Sequence, residues 1–211
     1  MGKIKKGAFG EFTGKVGNLV GCTWKGVPYM RTRPTHMTNP RTEKQQGQRN
    51  KFQTALNFLR TLTPFLRTGY REFAEGQTAF NAAMSYLMRN ALTDTQEGFV
   101  IDYSKVLVSH GSLTQIFNAT AISENNKARF TWEDNSGQGN AMATDRSMTV
   151  IYNKEKNLAV YDTAAAKRSD SEAELQLPQD WEGDTLIAYL GFCSMNDESV
   201  ANSVCLPLTA S

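Results

Sequence analysis

The spacing of apolar residues changes twice along this 211-residue chain, and each change marks a new segment. The first segment places glycine at 7, 10, 14, 17, 21 and 26. That is too frequent for a helix, because each interior glycine costs about 1 kcal/mol relative to alanine. An extended or turn-rich path is expected there. Within it, Asn18 to Trp24 and Val27 to Arg33 are two β-prone runs joined by Lys25-Gly26, the pattern of a hairpin. Trp24 and Tyr29 are its aromatic anchors. A lone hairpin is marginal in water, so this one is expected to pack on the helices, on the later strands or on another molecule.

Pro34 ends the second run, and a helical period follows. Asn39 with Pro40 at the first helical position supplies one start signal, and Thr42 with Gln45 supplies a capping box as the other. The apolar positions Phe52, Ala55, Leu56, Leu59 and Leu62 continue the helix until Thr63-Pro64 breaks it. A short helix over 65 to 73 is predicted next. A third covers 78 to 92, with Phe80, Ala83, Met84, Leu87 and Ala91 on one face.

From Gly98 the period becomes that of strands. Runs at 106–108, 112–122, 128–132, 147–152, 158–161, 173–177, 184–193 and 200–206 are separated by turn chemistry such as Glu124-Asn125-Asn126 and Asn135-Ser136-Gly137. Such a series fits a Greek-key sandwich with Trp132, Tyr152 and Tyr189 as core candidates. The expected fold class is therefore α+β. A basic β-hairpin arm (1–38) and short helices (39–94) precede a C-terminal antiparallel β-sandwich of the Ig-like or fibronectin type III-like kind (95–211).

Composition adds a polarity that the net charge of +2 conceals. Residues 1 to 51 hold eleven Lys and Arg against Glu11 and Glu43, a net +9, whereas residues 95 to 211 hold eight basic and sixteen acidic side chains, a net −8. The asymmetry points to an acidic partner for the arm, such as nucleic acid through residues 1–51, or to head-to-tail contact between copies of the chain. No apolar run approaches the ~18–20 residues of a membrane span. Lysines near Met1 are followed by no continuous apolar stretch, so no secretory signal is expected. The expected location is the cytoplasm at synthesis, with incorporation into a virion or other particle left open.

The candidate chemistry is sparse. Gly10 to Val16 imitates a phosphate loop, but its spacing is one residue short and Val16 stands where a magnesium-binding hydroxyl is needed. His36 and His110 lie far apart in sequence and read as solvent-facing loop residues. Ser109 and Ser112 lack a nucleophile elbow, and the acids Glu133-Asp134, Asp180, Glu182 and Asp184 sit at predicted strand ends, where carboxylates are ordinarily solvated. Cys22, Cys193 and Cys205 show no paired or metal-type spacing. Cys193 and Cys205 do fall on the last two predicted strands, where two buried thiols and a cross-strand disulfide both remain open readings. No enzyme activity, metal or cofactor is expected. The arm carries the interaction candidates: Lys15, Lys25, Arg31 and Arg33 interleave with Trp24 and Tyr29, a mixture that serves either packing or the stacking of single-stranded bases.

Three stretches together carry a resemblance: Gly14-Lys15-Val16-Gly17-Asn18 leading to Trp24-Lys25-Gly26; Tyr29-Met30-Arg31 with Asn39-Pro40-Arg41-Thr42 and Gln46; and Phe130-Thr131-Trp132 with Asp134 to Gly137. They resemble an uncharacterised family of proteins of about this length known mainly from Bacteroidota, carried as a domain of unknown function. Leu177-Pro178, Trp181 and Gly183-Asp184 extend the similarity. The front part is also similar to small phage and prophage proteins. The family resemblance says almost nothing of activity. The glycines and paired aromatics of Gly14 to Arg33, a hairpin with little to bury in its own segment, point to a structural, self-associating protein with the acidic sandwich displayed, and the phage similarity tilts this toward a component of a phage-type or other multi-subunit particle. A nucleic-acid-binding arm and an Ig-like adhesin are the alternative readings.

Overall fold

The structure, a computed structural model, describes residues 3–4, 12–24, 26–36, 41–95 and 98–210. The chain divides into two compact units, residues 1–42 and 43–211.

In the first unit, β1 (Lys3–Ile4), β2 (Phe12–Val16), β3 (Leu19–Trp24) and β4 (Val27–Thr32) form one antiparallel sheet in chain order. The expected hairpin is β3–β4. The glycine-rich run before it also supplies a strand, β2, because Gly17 takes φ +56° in the two-residue turn to β3.

The second unit opens with α1 (Glu43–Thr61), so Thr42 occupies the position before its first residue; Asn39 and Pro40 lie outside the described residues. Pro64 falls in the first turn of α2 (Thr63–Gly69), where its missing N–H removes no helical bond. Thr78 caps α3 (Ala79–Asn90), its hydroxyl accepting from the Asn81 amide at 3.1 Å. The buried stripe of α1 runs through Ala55, Phe58 and Leu59 and continues into Leu62 just past its end, and Phe52, expected inside, is exposed. On α3, Ala79 and Ala82 join the core while Phe80 is only half-buried.

A hairpin of β5 (Leu92–Thr95) and β6 (Gly98–Ile101) follows, across the boundary expected at residue 94. Then come β7 (Thr120–Glu124), β8 (Lys127–Thr131), β9 (Arg146–Asn153), β10 (Leu158–Asp162), β11 (Glu172–Gln176), β12 (Leu186–Cys193), β13 (Val204–Leu206) and β14 (Leu208–Ala210). One sheet has the order β10-β9-β12-β13 and the other β11-β8-β7-β14, with β14 parallel to β7. Taking β7 to β13 as A, B, C, C′, E, F and G puts ABE on one sheet and C′CFG on the other, the Ig-type distribution. The fold is α+β with a β-sandwich, as the alternation indicated.

Residues 106–108 and 112–119 are not strands. Several amides along this stretch are met by side chains from other loops: Val108 donates to Ser203 Oγ at 2.9 Å, Gly111 to Asn202 Oδ1 at 3.1 Å and Thr114 to Asn140 Oδ1 at 2.7 Å. The apolar residues that suggested strands, Val106, Val108, Leu113 and Ile116, are buried by this crossing segment.

Two cores flank the C′CFG sheet. Phe130, Trp132, Ile151, Leu190 and Phe192 fill the space between the sheets. On the opposite face, Met148, Val150, Tyr152 and Tyr189 pack against Phe58, Leu62, Leu66 and Leu87 of the helical segment. β9 is buried from Ser147 to Asn153 because both its faces are covered. The helical segment and the sandwich, expected as separate parts, thus share a core. Glu72, just after α2, adds a polar tie, its Oε1 accepting from Val200 N at 2.8 Å and Ser112 N at 3.0 Å. A Cβ on Gly111 would lie 2.2 Å from that carboxylate and 2.4 Å from the Val200 carbonyl, so glycine is required there.

Candidate functional site

Pairing in the arm sheet sorts its side chains onto two unlike faces. Val20 stands opposite Lys15 on one side and Arg31 on the other, so the three share a face. Alternation adds the pairs Cys22–Tyr29 and Trp24–Val27 to that face. The reverse face holds Phe12, Val16, Leu19, Gly21, Pro28 and Met30, and no charged residue among the described strand positions β2 to β4.

Both faces are solvent-accessible. Trp24 is 65% exposed, Val27 64% and Tyr29 46% on the aromatic and cationic face; Met30 is 65% and Val16 53% exposed on the neutral one. Among the described residues of this unit only Gly21 is buried, under Phe12: a Cβ there would meet the Phe12 carbonyl at 2.2 Å and its ring at 2.7 Å.

β4 is one edge of the sheet and β1 the other. Arg33 N–H donates to Asn18 O at 2.7 Å, so by the two-residue period the amides of Met30 and Thr32 point away from the sheet, and Pro28, in the same row, has no N–H to offer.

Of the residues singled out from the sequence, Lys15, Trp24, Tyr29 and Arg31 are brought to one face. Arg33 lies just past the end of β4. Lys25, Gly10 and Glu11 lie outside the described residues. Lys15 is a mid-strand residue of β2 rather than part of a loop before a helix, which is where a phosphate loop would need it. The alternation of Val27, Tyr29 and Arg31 with Pro28, Met30 and Thr32 was readable in advance. The separation of charge between faces was not, because it depends on the register of β2.

The remaining candidates have structural partners. His110, expected to face solvent, is half-buried: it stacks on Phe73 at 4.4 Å, meets the edges of Tyr70 and Tyr86, and places Nδ1 2.7 Å from Asn202 Oδ1. The 2.8 Å bond from its amide to Gly69 O draws it onto the end of α2. Ser109 is fully buried and donates to Ala201 O at 2.8 Å. Cys205 stands opposite Tyr189, four residues along β12 from Cys193, and both thiols are free. Burial raises the pKa of each.

A cleft of about 790 Å³ opens at the end of the sandwich where the β7–β8 turn meets the β11–β12 connection. Trp181 and Leu177 form its apolar part, and Glu124, Glu182 and Asp184 bring carboxylates to it. Asp184 accepts from Asn153 Nδ2 at 2.7 Å and pairs with Lys156 at 3.1 Å, and these two contacts, in that order, hold its pKa below the usual carboxylate range. Lys156 also reaches Asp180, at 3.0 Å.

Among the described residues no group of three or more His, Cys, Asp and Glu is placed to hold a metal, and no helix is long and apolar enough to cross a membrane. No curated protein matches the chain. Among solved structures, a DUF3823 family protein from Bacteroides ovatus ATCC 8483 aligns with 16% identity and a TM-score of 0.27, over 44% of this chain and 52% of that one. The aligned part is thus about half the length of that relative. A family model spans nearly the whole sequence, residues 10–207, and on that match the chain belongs to DUF6266, a family of unknown function.

Proposed function

We propose that the protein is a non-enzymatic, self-associating structural component of a multi-subunit particle, with the arm sheet as its docking element. The observation that carries this reading is the arm's lack of a core. A sheet that, among its described residues, buries only Gly21 while exposing Trp24, Val27, Tyr29, Val16 and Met30 gains its stability from a surface laid over it. Exposed apolar area of this kind marks an interaction surface, and Trp and Tyr are the residues that most often dominate one.

A second reading rests on the same face. Trp24 and Tyr29 beside Lys15 and Arg31 combine stacking surfaces with phosphate-binding cations, as single-stranded nucleic acid requires. Sizing by light scattering and ultracentrifugation across concentration tests the first reading. The parent chain is expected to associate, and Trp24→Ala to weaken association by about thirtyfold or more, the equivalent of about 2 kcal/mol for an interface anchor. A parent that is monomeric throughout overturns assembly. Salt-dependent binding of a single-stranded oligonucleotide by that monomer replaces it with the second reading.

A further inference from the structure

We infer that the aromatic and cationic face of the arm docks into the acidic cleft at the end of the sandwich of a second copy of this chain, so that copies join head to tail. The inference rests on the assembly reading and names the partner of the same site.

Charge selects the occupant. The arm face presents Lys15 and Arg31 in one row across the sheet, with Tyr29 in the row beside it, and residues 1 to 51 carry a net +9. The cleft belongs to the segment with a net −8. Lys156 is engaged by Asp180 and Asp184, while Glu124 and Glu182 form no ion pair among the described residues. Both carboxylates thus stand at the rim without a contact ion pair, Glu124 feeling Arg129 only at longer range.

The apolar part fits as well. Trp181 and Leu177, both buried in the cleft wall, give an aromatic and aliphatic lining that an inserted Trp24 or Tyr29 ring would extend. A volume of about 790 Å³ lies within the ~300–1,000 Å³ of pockets that take a ligand of that size. A rim of opposite charge around an apolar centre is the ordinary anatomy of a specific protein interface. Arm and cleft are different surfaces, so the contact is heterologous and propagates into a ring or an open chain.

Two charge-reversed variants test this. Lys15→Glu/Arg31→Glu spoils the arm and keeps the cleft; Glu124→Lys/Glu182→Lys spoils the cleft and keeps the arm. All four positions are exposed, so the melting temperature should stay that of the parent. Each variant alone is expected to associate at least tenfold more weakly than the parent in sedimentation velocity. Mixed in equal amounts, they should associate again, because the intact arm of one variant meets the intact cleft of the other and the two charge-reversed surfaces also complement each other. The fourfold variant, with charges exchanged, should associate again.

If the cleft variant associates like the parent, or the mixture stays monomeric, this inference fails while assembly through Trp24 stands. If the parent never associates, both fail. If the arm variant loses an oligonucleotide that the cleft variant still binds, and association is unaffected, nucleic acid is the occupant instead.

Discussion

Arg168 and Asp145 form an ion pair inside the sandwich, Nε to Oδ2 at 3.1 Å, with side-chain exposures of 0% and 2%. The guanidinium also donates to Asn135 Oδ1 at 2.6 Å and to Thr114 O at 3.2 Å, and lies 4.2 Å from the centre of the Phe192 ring. Burial pulls the Arg168 pKa down and Asp145 opposes that, so the charge is retained by its partners. Removing the carboxylate alone, as in Asp145→Ala, should cost about 3–5 kcal/mol, because a buried cation loses its counter-ion. Asp145→Leu combined with Arg168→Met should recover much of that loss. Equilibrium urea unfolding measures both, and an Asp145→Ala variant as stable as the parent would show that water reaches the pair.

The helices should be indispensable to the sandwich. Met148, Val150, Tyr152 and Tyr189 face them from the C′CFG sheet, and exposing each such side chain costs about 1.5–3 kcal/mol. Four of them together rival the ~5–15 kcal/mol that holds a domain folded. A fragment of residues 97–211 is expected to lack a cooperative thermal transition, while residues 43–211 should melt cooperatively. Calorimetry of the two fragments decides, and a sharp transition in the shorter one would refute the shared core.

Replacing Gly21 by valine should open the arm without touching the second unit. The added side chain meets the Phe12 carbonyl oxygen at 2.2 Å, and a strand carbonyl cannot move aside as a flexible side chain can. Association should weaken tenfold or more, with the main melting transition unchanged. Unaltered association would mean that β2 is dispensable to docking.

Acid should destabilise the second unit progressively below about pH 4. Asp184 is held below the usual range by the Asn153 amide and then Lys156, and Glu174 by Lys127 and then Arg129. A carboxylate whose folded pKa is depressed contributes stability that is complete above its unfolded pKa, about 3.9 for Asp and 4.3 for Glu, and is lost as pH falls through the folded value. Asp184→Asn should therefore lower the melting temperature at pH 7, and the difference from the parent should shrink toward pH 2. A difference constant over that range would contradict a charged Asp184 at neutral pH.

Much of the architecture was legible because it is written in local period. The 3.6-residue spacing marked α1 and α3, and alternation marked β8 and β9. The shared core was not, because Met148, Val150 and Tyr152 alternate with Ser147, Thr149 and Ile151 in a strand covered on both faces, and no period says what lies on the second face. Val106, Val108 and Leu113 misled for a related reason: burial makes a run apolar whether or not its amides join a ladder. In the arm, composition identified Trp24, Tyr29, Lys15 and Arg31, but only the β2–β3 register puts them on one side. Glu124 and Glu182 are 58 residues apart in sequence, and nothing local relates them.

Pro28 has a consequence for how such a chain behaves when concentrated. A flat, apolar strand with a free edge is the usual template for cross-β growth, in which each added molecule extends the ladder of main-chain bonds. The outward row of β4 offers only the Met30 and Thr32 amides, and the gap at residue 28 interrupts any strand laid against it. Amyloid-like stacking through this edge is thereby disfavoured, so the arm can present an apolar surface there without also presenting an unbroken strand template.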